Sequence, residues 1–458
     1  MRRHVLGACS LLLFAHSAGA ASDADLEKIR AEIQQLKQSY EARIQALEAR
    51  LQQTESHADA AQVSAQRAQE QISQVAAAPA AAAPAGSNAF NPDISLILSG
   101  TYANLSQDPN KYRLTGFISG GDSSPGKRSF SLAESELGVY ANIDPYFHGG
   151  LNLALAPDNT VSVEEAFIQT LGLGQGFTVK AGRFFSAIGY LNEQHAHTWD
   201  FVDNPLAYKA FLGTQLGQDG VQLKWLAPTD TFLELGAELG NGANFPGSDR
   251  NRNGAGSAAL FAHVGGDIGD SQSWRAGVSY LHAKPKNRSD ADTNLSGNAV
   301  NNSFSGASKL WLADFVWKWA PQGNATRTNF KLQGEYFRRS EDGVLIYDSA
   351  TSALAGGYAS TQSGAYLQGV YQFMPHWRVG LRRDQLDTGH VDYGLNNINL
   401  ARPDYAPTKN SLMLDYTPSE FSRFRLQLAQ DKSRQGVTDN QIFLQYLMSL
   451  GAHGAHQF

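Results

Sequence analysis

The chain has 458 residues, a formal net charge of −6 and a mean hydropathy of −0.34. This length suits a large barrel or several soluble domains, and a mildly acidic chain without a strong basic cluster argues against a nucleic-acid partner. Glycine (44 residues) and aromatic residues (10%) are plentiful while charged residues are only 17%, a balance that suits a transmembrane β-barrel.

Residues 1–20 have the pattern of a secretory signal peptide. Arg2 and Arg3 precede an apolar run, and the Ala-Gly-Ala sequence at 18–20 predicts cleavage after Ala20. Cys9 is the only cysteine and lies within this segment, so we expect neither disulfides nor thiolate chemistry in the mature protein. A lipoprotein-type motif ending at Cys9 is the alternative. No later stretch reaches the roughly 18–20 apolar residues that a membrane helix needs, so a membrane-embedded chain must cross as strands.

Residues 21–75 are predicted to form an α-helical coiled coil. Leu26, Ile29 and Ile33 begin an alternating three-four spacing of apolar residues, with charged and glutamine residues on the other faces. A lone helix has no means to bury such a stripe, so we expect a homotrimeric stalk in the periplasm, with a single helix lying on another surface as the alternative. Residues 76–89 are rich in alanine and proline and are predicted to be a linker.

Residues 90–458 are predicted to form an all-β domain, a transmembrane antiparallel β-barrel of about sixteen strands. Alternating stretches of about ten residues, the length that crosses a bilayer when tilted, carry this prediction. They are 94–106, 130–142, 146–155, 162–171, 176–185, 217–226, 230–239, 258–267, 272–283, 308–319, 326–339, 361–373, 377–387, 409–417, 421–431 and 440–458.

The connections between these stretches alternate in length. Short turns such as 144–145 and 375–376 alternate with long segments, although two connections expected to be long, 156–161 and 432–439, are brief. The long segments are 107–129, 186–216, 240–257, 284–307, 340–360 and 388–408. Short periplasmic turns opposite long extracellular loops are typical of outer-membrane barrels, and an even strand count puts both chain ends in the periplasm.

The last stretch, 440–458, is apolar and aromatic on one face, polar on the other, and ends on Phe458. Taken alone, it also fits the edge strand of a soluble sandwich. Aromatic residues that recur beside the short turns favour a lipid interface instead. They are Phe147, Trp225, Trp274, Trp317, Trp319 and Trp377.

Three segments resemble bacterial outer-membrane porins, and the phosphate-selective porins above all. They are VKAGRFF at 179–185, VGLRRD at 379–384 and the stretch 421–430. The coiled coil resembles the N-terminal segment of sucrose-type porins, and the barrel is also similar to zinc-regulated outer-membrane receptors. This resemblance implies a trimeric diffusion channel whose third long loop, here 186–216, narrows the pore. The dense arginine-lysine ladder of the anion-selective members is missing.

Strand alternation predicts which charged side chains line the pore. They are Glu134, Glu136, Glu165, Lys331, Arg339, Arg378, Arg382, Arg423 and Arg425. Acidic residues fall in the first half of the wall and basic residues in the second, which predicts a transverse field that favours polar solutes. The alternative is that these charges only solvate a wet interior.

Loop 186–216 also contains Glu193, His195, His197 and Asp200 within one short span. Imidazole and carboxylate groups suit zinc, so this span predicts a weak metal site at the constriction, with ordinary surface residues as the alternative. We find no nucleophile-base arrangement, phosphate loop or pair of catalytic carboxylates above chance, so we expect neither an enzyme nor any cofactor other than zinc.

These patterns together predict a porin in the bacterial outer membrane, surrounded by its lipid, that passes small hydrophilic solutes or ions by passive diffusion. The alternative function is a channel or receptor for uptake of divalent metal ions such as zinc. An outer-membrane enzyme built on a β-barrel is the least favoured.

Overall fold

A computed structural model describes residues 92–451, except 119, 121, 122, 250 and 252, together with residues 34, 37 and 38. Gln34, Lys37 and Gln38 are helical. The predicted signal peptide, the rest of the coiled coil, the linker and the terminal Phe458 lie outside the described residues. No helix in the described part of the chain has the length and apolar character needed to cross a membrane.

The described residues of the barrel form eighteen strand segments in one antiparallel sheet. Strands β1 to β18 span Asp93–Leu105, Ser129–Leu132, Ser135–Asn142, Phe147–Leu155, Val161–Thr170, Phe177–Phe185, Gly217–Leu226, Phe232–Gly240, Ser257–Ile268, Gln272–Ala283, Arg288–Thr293, Ala299–Trp319, Asn329–Tyr347, Leu354–Met374, Trp377–Asp392, Thr408–Ser419, Ser422–Lys432 and Asp439–Gly451. Helix α1 spans Leu206–Leu212, and short 3-10 turns span Pro109–Lys111, Ala196–Thr198, Pro321–Gly323 and Gly394–Ile398.

The sheet closes on itself, because β1 pairs with β18 and places Leu96 opposite Leu450. Two of the barrel strands are interrupted. Segments β2 and β3 both pair with β1 and together make one barrel strand. Segment β11 pairs with the part of β12 that lies beyond the end of β10, so β10 and β11 together make another. The eighteen segments therefore form sixteen barrel strands, which confirms the prediction from the sequence.

The two faces of the sheet differ because successive side chains of a strand point to opposite sides. On the outside, Leu260, Trp311 and Leu381 are 58%, 55% and 64% exposed. On the inside, Gln333 and Asp384 are fully buried. The outer face is thus apolar and the inner face polar. This distribution is the reverse of that in a soluble protein and is the one that a lipid environment requires.

Aromatic rings pair across neighbouring strands beside the short turns. Trp377 lies 4.7 Å from Tyr416 and Phe424 lies 4.7 Å from Tyr446, measured between ring centroids. These outward rings close to the turns fit an interfacial aromatic girdle.

The predicted loops 284–307 and 340–360 are wrong for most of their length, because β12, β13 and β14 continue well past the membrane-crossing stretch. Phe304, Leu345 and Tyr358 are buried in a small apolar cluster formed by these extensions. Cross-strand aromatic and aliphatic pairs stabilise a sheet wherever they occur. The strands therefore continue to the end of this cluster, whereas the prediction gave them only the length needed to cross a bilayer.

Candidate functional site

Loop 186–216 connects β6 to β7 and folds into the barrel, as the resemblance to porins implies. Its residues contact inward side chains all round the wall, including Glu136 on β3, Glu238 on β8, Glu335 on β13 and Gln427 on β17. The loop therefore crosses the lumen.

Helix α1 explains why the loop enters. All seven of its residues are buried, and Gly213 ends the helix in the left-handed conformation (φ 65°) that glycine adopts without strain. Tyr208 and Phe211 pack on Phe337, with ring centroids 5.1 and 5.8 Å apart. An apolar patch of the inner wall and an apolar helix thus remove each other from water, which stabilises the inserted position.

Two buried glutamates on the wall fix the start of the loop. Glu238 accepts hydrogen bonds from the Ser186 hydroxyl (2.5 Å) and the Ala187 backbone N–H (2.8 Å). Glu335 accepts from the Leu191 backbone N–H (3.1 Å) and from the Tyr208 hydroxyl (2.9 Å). Each carboxylate satisfies loop donors that would otherwise be buried without a partner.

The middle of the loop contacts cationic side chains of the barrel wall. We name this contact the basic junction; it consists of Asp200 and Asp203 of the loop and of Lys331, Arg378, Arg382 and Lys409 of the wall. Asp200 pairs with Lys331 and with Arg378 (3.2 Å). Asp203 pairs with Arg382 (2.9 Å) and Lys409 (2.7 Å). Burial favours the neutral form of an aspartate, but these cations outweigh the effect of burial and hold the pKa of both Asp200 and Asp203 below the ordinary range.

Glu193, near the start of the loop, also has a cationic partner, the ammonium of Lys224 on β7 at 2.8 Å. Burial raises the pKa of a carboxyl, but the charge of Lys224 prevails and lowers the pKa of Glu193 to about 2. This carboxylate is therefore committed to an ion pair.

His195 and His197 contact acidic residues of β3 and β5. We name this contact the acidic junction; it consists of the two histidines of the loop and of Glu136, Glu164 and Glu165 of the wall. The His195 ring lies 3.1 Å from Glu165, 3.3 Å from Glu136 and 3.4 Å from Glu164, and the His197 ring lies 2.9 Å from Glu136. Burial disfavours a charged imidazole, but the three surrounding carboxylates raise the pKa of His195 well above its ordinary value.

A β-bulge builds this acidic junction. Asn152 of β4 is opposite Glu165 while the next residue, Leu153, is opposite Val163, so Glu164 is an extra residue in β5. A regular strand would point Glu164 to the outer face, away from Glu165. The bulge instead brings both carboxylates within reach of His195.

The structure thus divides the four residues predicted to bind metal. His195 and His197 lie together, with ring centroids 5.8 Å apart. The carboxylates within 4 Å of their nitrogens, among the described residues, come from the wall, whereas Glu193 and Asp200 pair with lysine and arginine elsewhere. The predicted set of four is therefore not brought together.

Eight of the nine residues predicted to line the pore contact the inserted loop, and the ninth, Glu134, is exposed in the break between β2 and β3. Glu136, Glu165, Lys331, Arg339, Arg378, Arg382, Arg423 and Arg425 each contact loop 186–216. Glu134 lies beside Glu164. The predicted division into acidic and basic halves is blurred, because carboxylates such as Asp384 and Asp415 lie among the arginines of the second half.

No protein-family model matches the chain. An uncharacterized protein of Aquifex aeolicus (strain VF5) is 32% identical over 404 residues, which cover 82% of this chain and 81% of that protein.

Solved structures of outer-membrane proteins are similar in shape. A loop L8 deletion mutant of OmpT, an outer membrane protein of Vibrio cholerae, matches with a TM-score of 0.50 and 12% identity, over 79% of this chain and 99% of that one. The outer membrane channel DcaP of Acinetobacter baumannii matches with a TM-score of 0.45 and 13% identity, over 79% and 97% of the two chains. At such identities, the likeness to OmpT shows the fold of an outer-membrane barrel.

Proposed function

Because the chain belongs to the same family as the Aquifex aeolicus protein and has the fold of an outer-membrane barrel, we propose that it is a passive channel for small hydrophilic solutes. It lies in the outer membrane, with loop 186–216 as its filter. We propose further that it assembles as a homotrimer, with the N-terminal coiled coil as a stalk in the periplasm, and that it is not an enzyme.

The observation that carries this proposal is the position of the loop between two walls of different charge. On one side, the acidic junction presents Glu136, Glu164 and Glu165. On the other, the basic junction presents arginine and lysine side chains. A field between such walls orients water and polar solutes and disfavours apolar ones.

Several charged side chains around the loop keep part of their surface open to solvent. Lys224, Glu193, Lys331 and Arg378 retain 17–25% side-chain exposure, although each takes part in an ion pair. These groups are therefore available to a passing solute, and they favour a route along the edge of the loop.

Single-channel conductance tests the proposal. We expect a variant in which residues 196–212 are replaced by a short glycine linker to conduct more than the wild type, because the obstacle in the lumen is removed. Glu420→Gln, in an exposed periplasmic turn, is the control and should leave conductance unchanged. The reversal potential in a salt gradient gives the ion selectivity of each protein.

A correctly inserted protein that conducts no ions would contradict the channel proposal. Equal conductance of the wild type and the shortened variant would contradict the role of the loop while leaving the channel intact. The assembly state is tested separately by the mass of the full-length protein in detergent, where a monomer would contradict the trimer.

A further inference from the structure

The acidic junction holds oxygen and nitrogen atoms close enough to share one cation. Oε2 of Glu136 and Oε2 of Glu164 lie 3.3 and 3.4 Å from Nδ1 of His195. One ligand-type atom from each of these three residues lies within 4.8 Å of the others. Carboxylate oxygen combined with imidazole nitrogen is a ligand set that zinc and similar divalent transition metals take.

The charges of this cluster do not balance. Glu136, Glu164 and Glu165 bring three carboxylates together. Among the described residues, the only cationic side chains within 4 Å of these carboxylates are the two histidines. Even if both imidazoles are protonated, one negative charge is left over, whereas Glu193 and Asp200 in the same loop have lysine or arginine partners.

An unsatisfied oxygen points to the same place. Oε2 of Glu164 is buried and accepts no well-formed hydrogen bond from any described residue, although it lies 3.4 Å from Nδ1 of His195. A buried carboxylate oxygen without a donor is costly, and an ion is one of the groups that can satisfy it. Glu164 is also the extra residue of the β-bulge, and bulges commonly redirect a side chain beside a functional site.

We propose that the acidic junction binds one divalent transition-metal cation per chain, with Glu136, Glu164 and His195 as its protein ligands. The ion joins the loop to β3 and β5 and offsets the excess negative charge. His195 and Glu164 keep 17% and 14% of their side-chain surface exposed, so an ion can arrive from the lumen. Binding does not require that the barrel conducts, so this inference stands or falls apart from the channel function.

Titration calorimetry of the full-length protein with zinc in detergent tests this site. The titration is best run at pH 8, because a metal binds the neutral imidazole and displaces its proton. We expect saturation at one zinc per chain in the wild type and affinity lower by roughly tenfold or more in Glu164→Gln. Glu420→Gln is the control, since it removes an exposed carboxylate outside the cluster and the loop, and should bind zinc as the wild type does.

Two results would overturn the proposal: no saturable zinc binding to the wild type, or equal affinity in Glu164→Gln and wild type. The second result would place the ion elsewhere, for instance on histidines outside the described residues. Circular dichroism of the barrel checks that each variant folds. If Glu164→Gln fails this check, His195→Gln gives the same comparison from the loop side and should show the same loss of affinity.

Discussion

The two junctions of the inserted loop are built from the same kinds of groups but differ in how their charges balance. At the basic junction, Asp200 and Asp203 lie within 4 Å of five cationic side chains. At the acidic junction, His195 and His197 face three carboxylates. The loop therefore contributes anions to the basic junction and imidazoles to the acidic junction. Wall carboxylates also pair with three cations of the basic junction, so the excess of charge is found at the acidic junction.

This difference assigns separate tasks to the two ends of the loop. Asp200 is buried, Asp203 keeps 14% of its side-chain surface exposed, and both are multiply paired, so they hold the loop in place. The acidic junction has an unsatisfied oxygen and an excess of negative charge, so it is suited to recruiting a cation. Changes at the basic junction should accordingly release the loop, whereas changes at the acidic junction should alter what binds there.

The largest effect is expected from Asp203→Asn. Removing one member of a buried ion pair generally costs about 3–5 kcal/mol. Arg382 and Lys409 keep Asp384 and Asp431 as partners, so we expect the lower end of this range for the free energy that holds the loop. We expect higher single-channel conductance and faster proteolysis within 186–216. Asp392→Asn, which breaks an exposed pair with Arg402, is the control and should change neither. Unchanged proteolysis in Asp203→Asn would mean that helix α1 alone holds the loop.

The sequence predicts the barrel well because its rule is local. Inward and outward positions alternate along each strand, and this alternation predicted sixteen strands and eight charged residues that contact the inserted loop. The site depends on exceptions to that rule. The bulge at Glu164 breaks the period of two, and nothing in the alternation marks the extra residue. A pair of adjacent glutamates, Glu164 and Glu165, is the one signal that a search for bulges could have used.

The partners of the loop were missed for a different reason. Glu335 is more than 140 residues from Leu191 in sequence, and Arg382 is 179 residues from Asp203. No local pattern connects such residues, since only closure of the barrel brings them together. Long-range contacts also explain why the four residues predicted to bind metal do not lie together. Glu193 and Asp200 pair with cationic side chains of barrel strands instead.

A smaller effect is expected from Tyr208→Phe, which tests the contact of helix α1 with Glu335. The hydroxyl is lost while the ring still packs on Phe337, so the carboxylate of Glu335 loses one donor but keeps the Tyr366 hydroxyl (2.7 Å) and two backbone N–H groups. Removing a donor from a buried acceptor costs roughly 1–3 kcal/mol, and the lower end applies here because other donors remain. Proteolysis of the loop should accelerate less than in Asp203→Asn. An equal or greater acceleration would make Glu335 the main anchor.

The smallest effect is expected from mild acid, which tests whether the ion pairs of Asp203 at the basic junction persist as the pH falls. Its folded pKa lies well below the ordinary value of 3.8, because the charges of Lys409 and Arg382 outweigh the effect of burial. A group whose pKa is lowered on folding stabilises the structure above its unfolded pKa, and this contribution is lost only as the pH falls through the lowered value. The conductance of the wild type should therefore show no release of the loop between pH 7 and about pH 4, the ordinary range of a carboxyl pKa. Asp203→Asn, which has no such group, serves as the reference at each pH. A stepwise rise in wild-type conductance toward the level of Asp203→Asn between pH 5 and pH 4 would show that the anchor titrates as an ordinary carboxyl, and would remove the basic junction as the element that holds the loop.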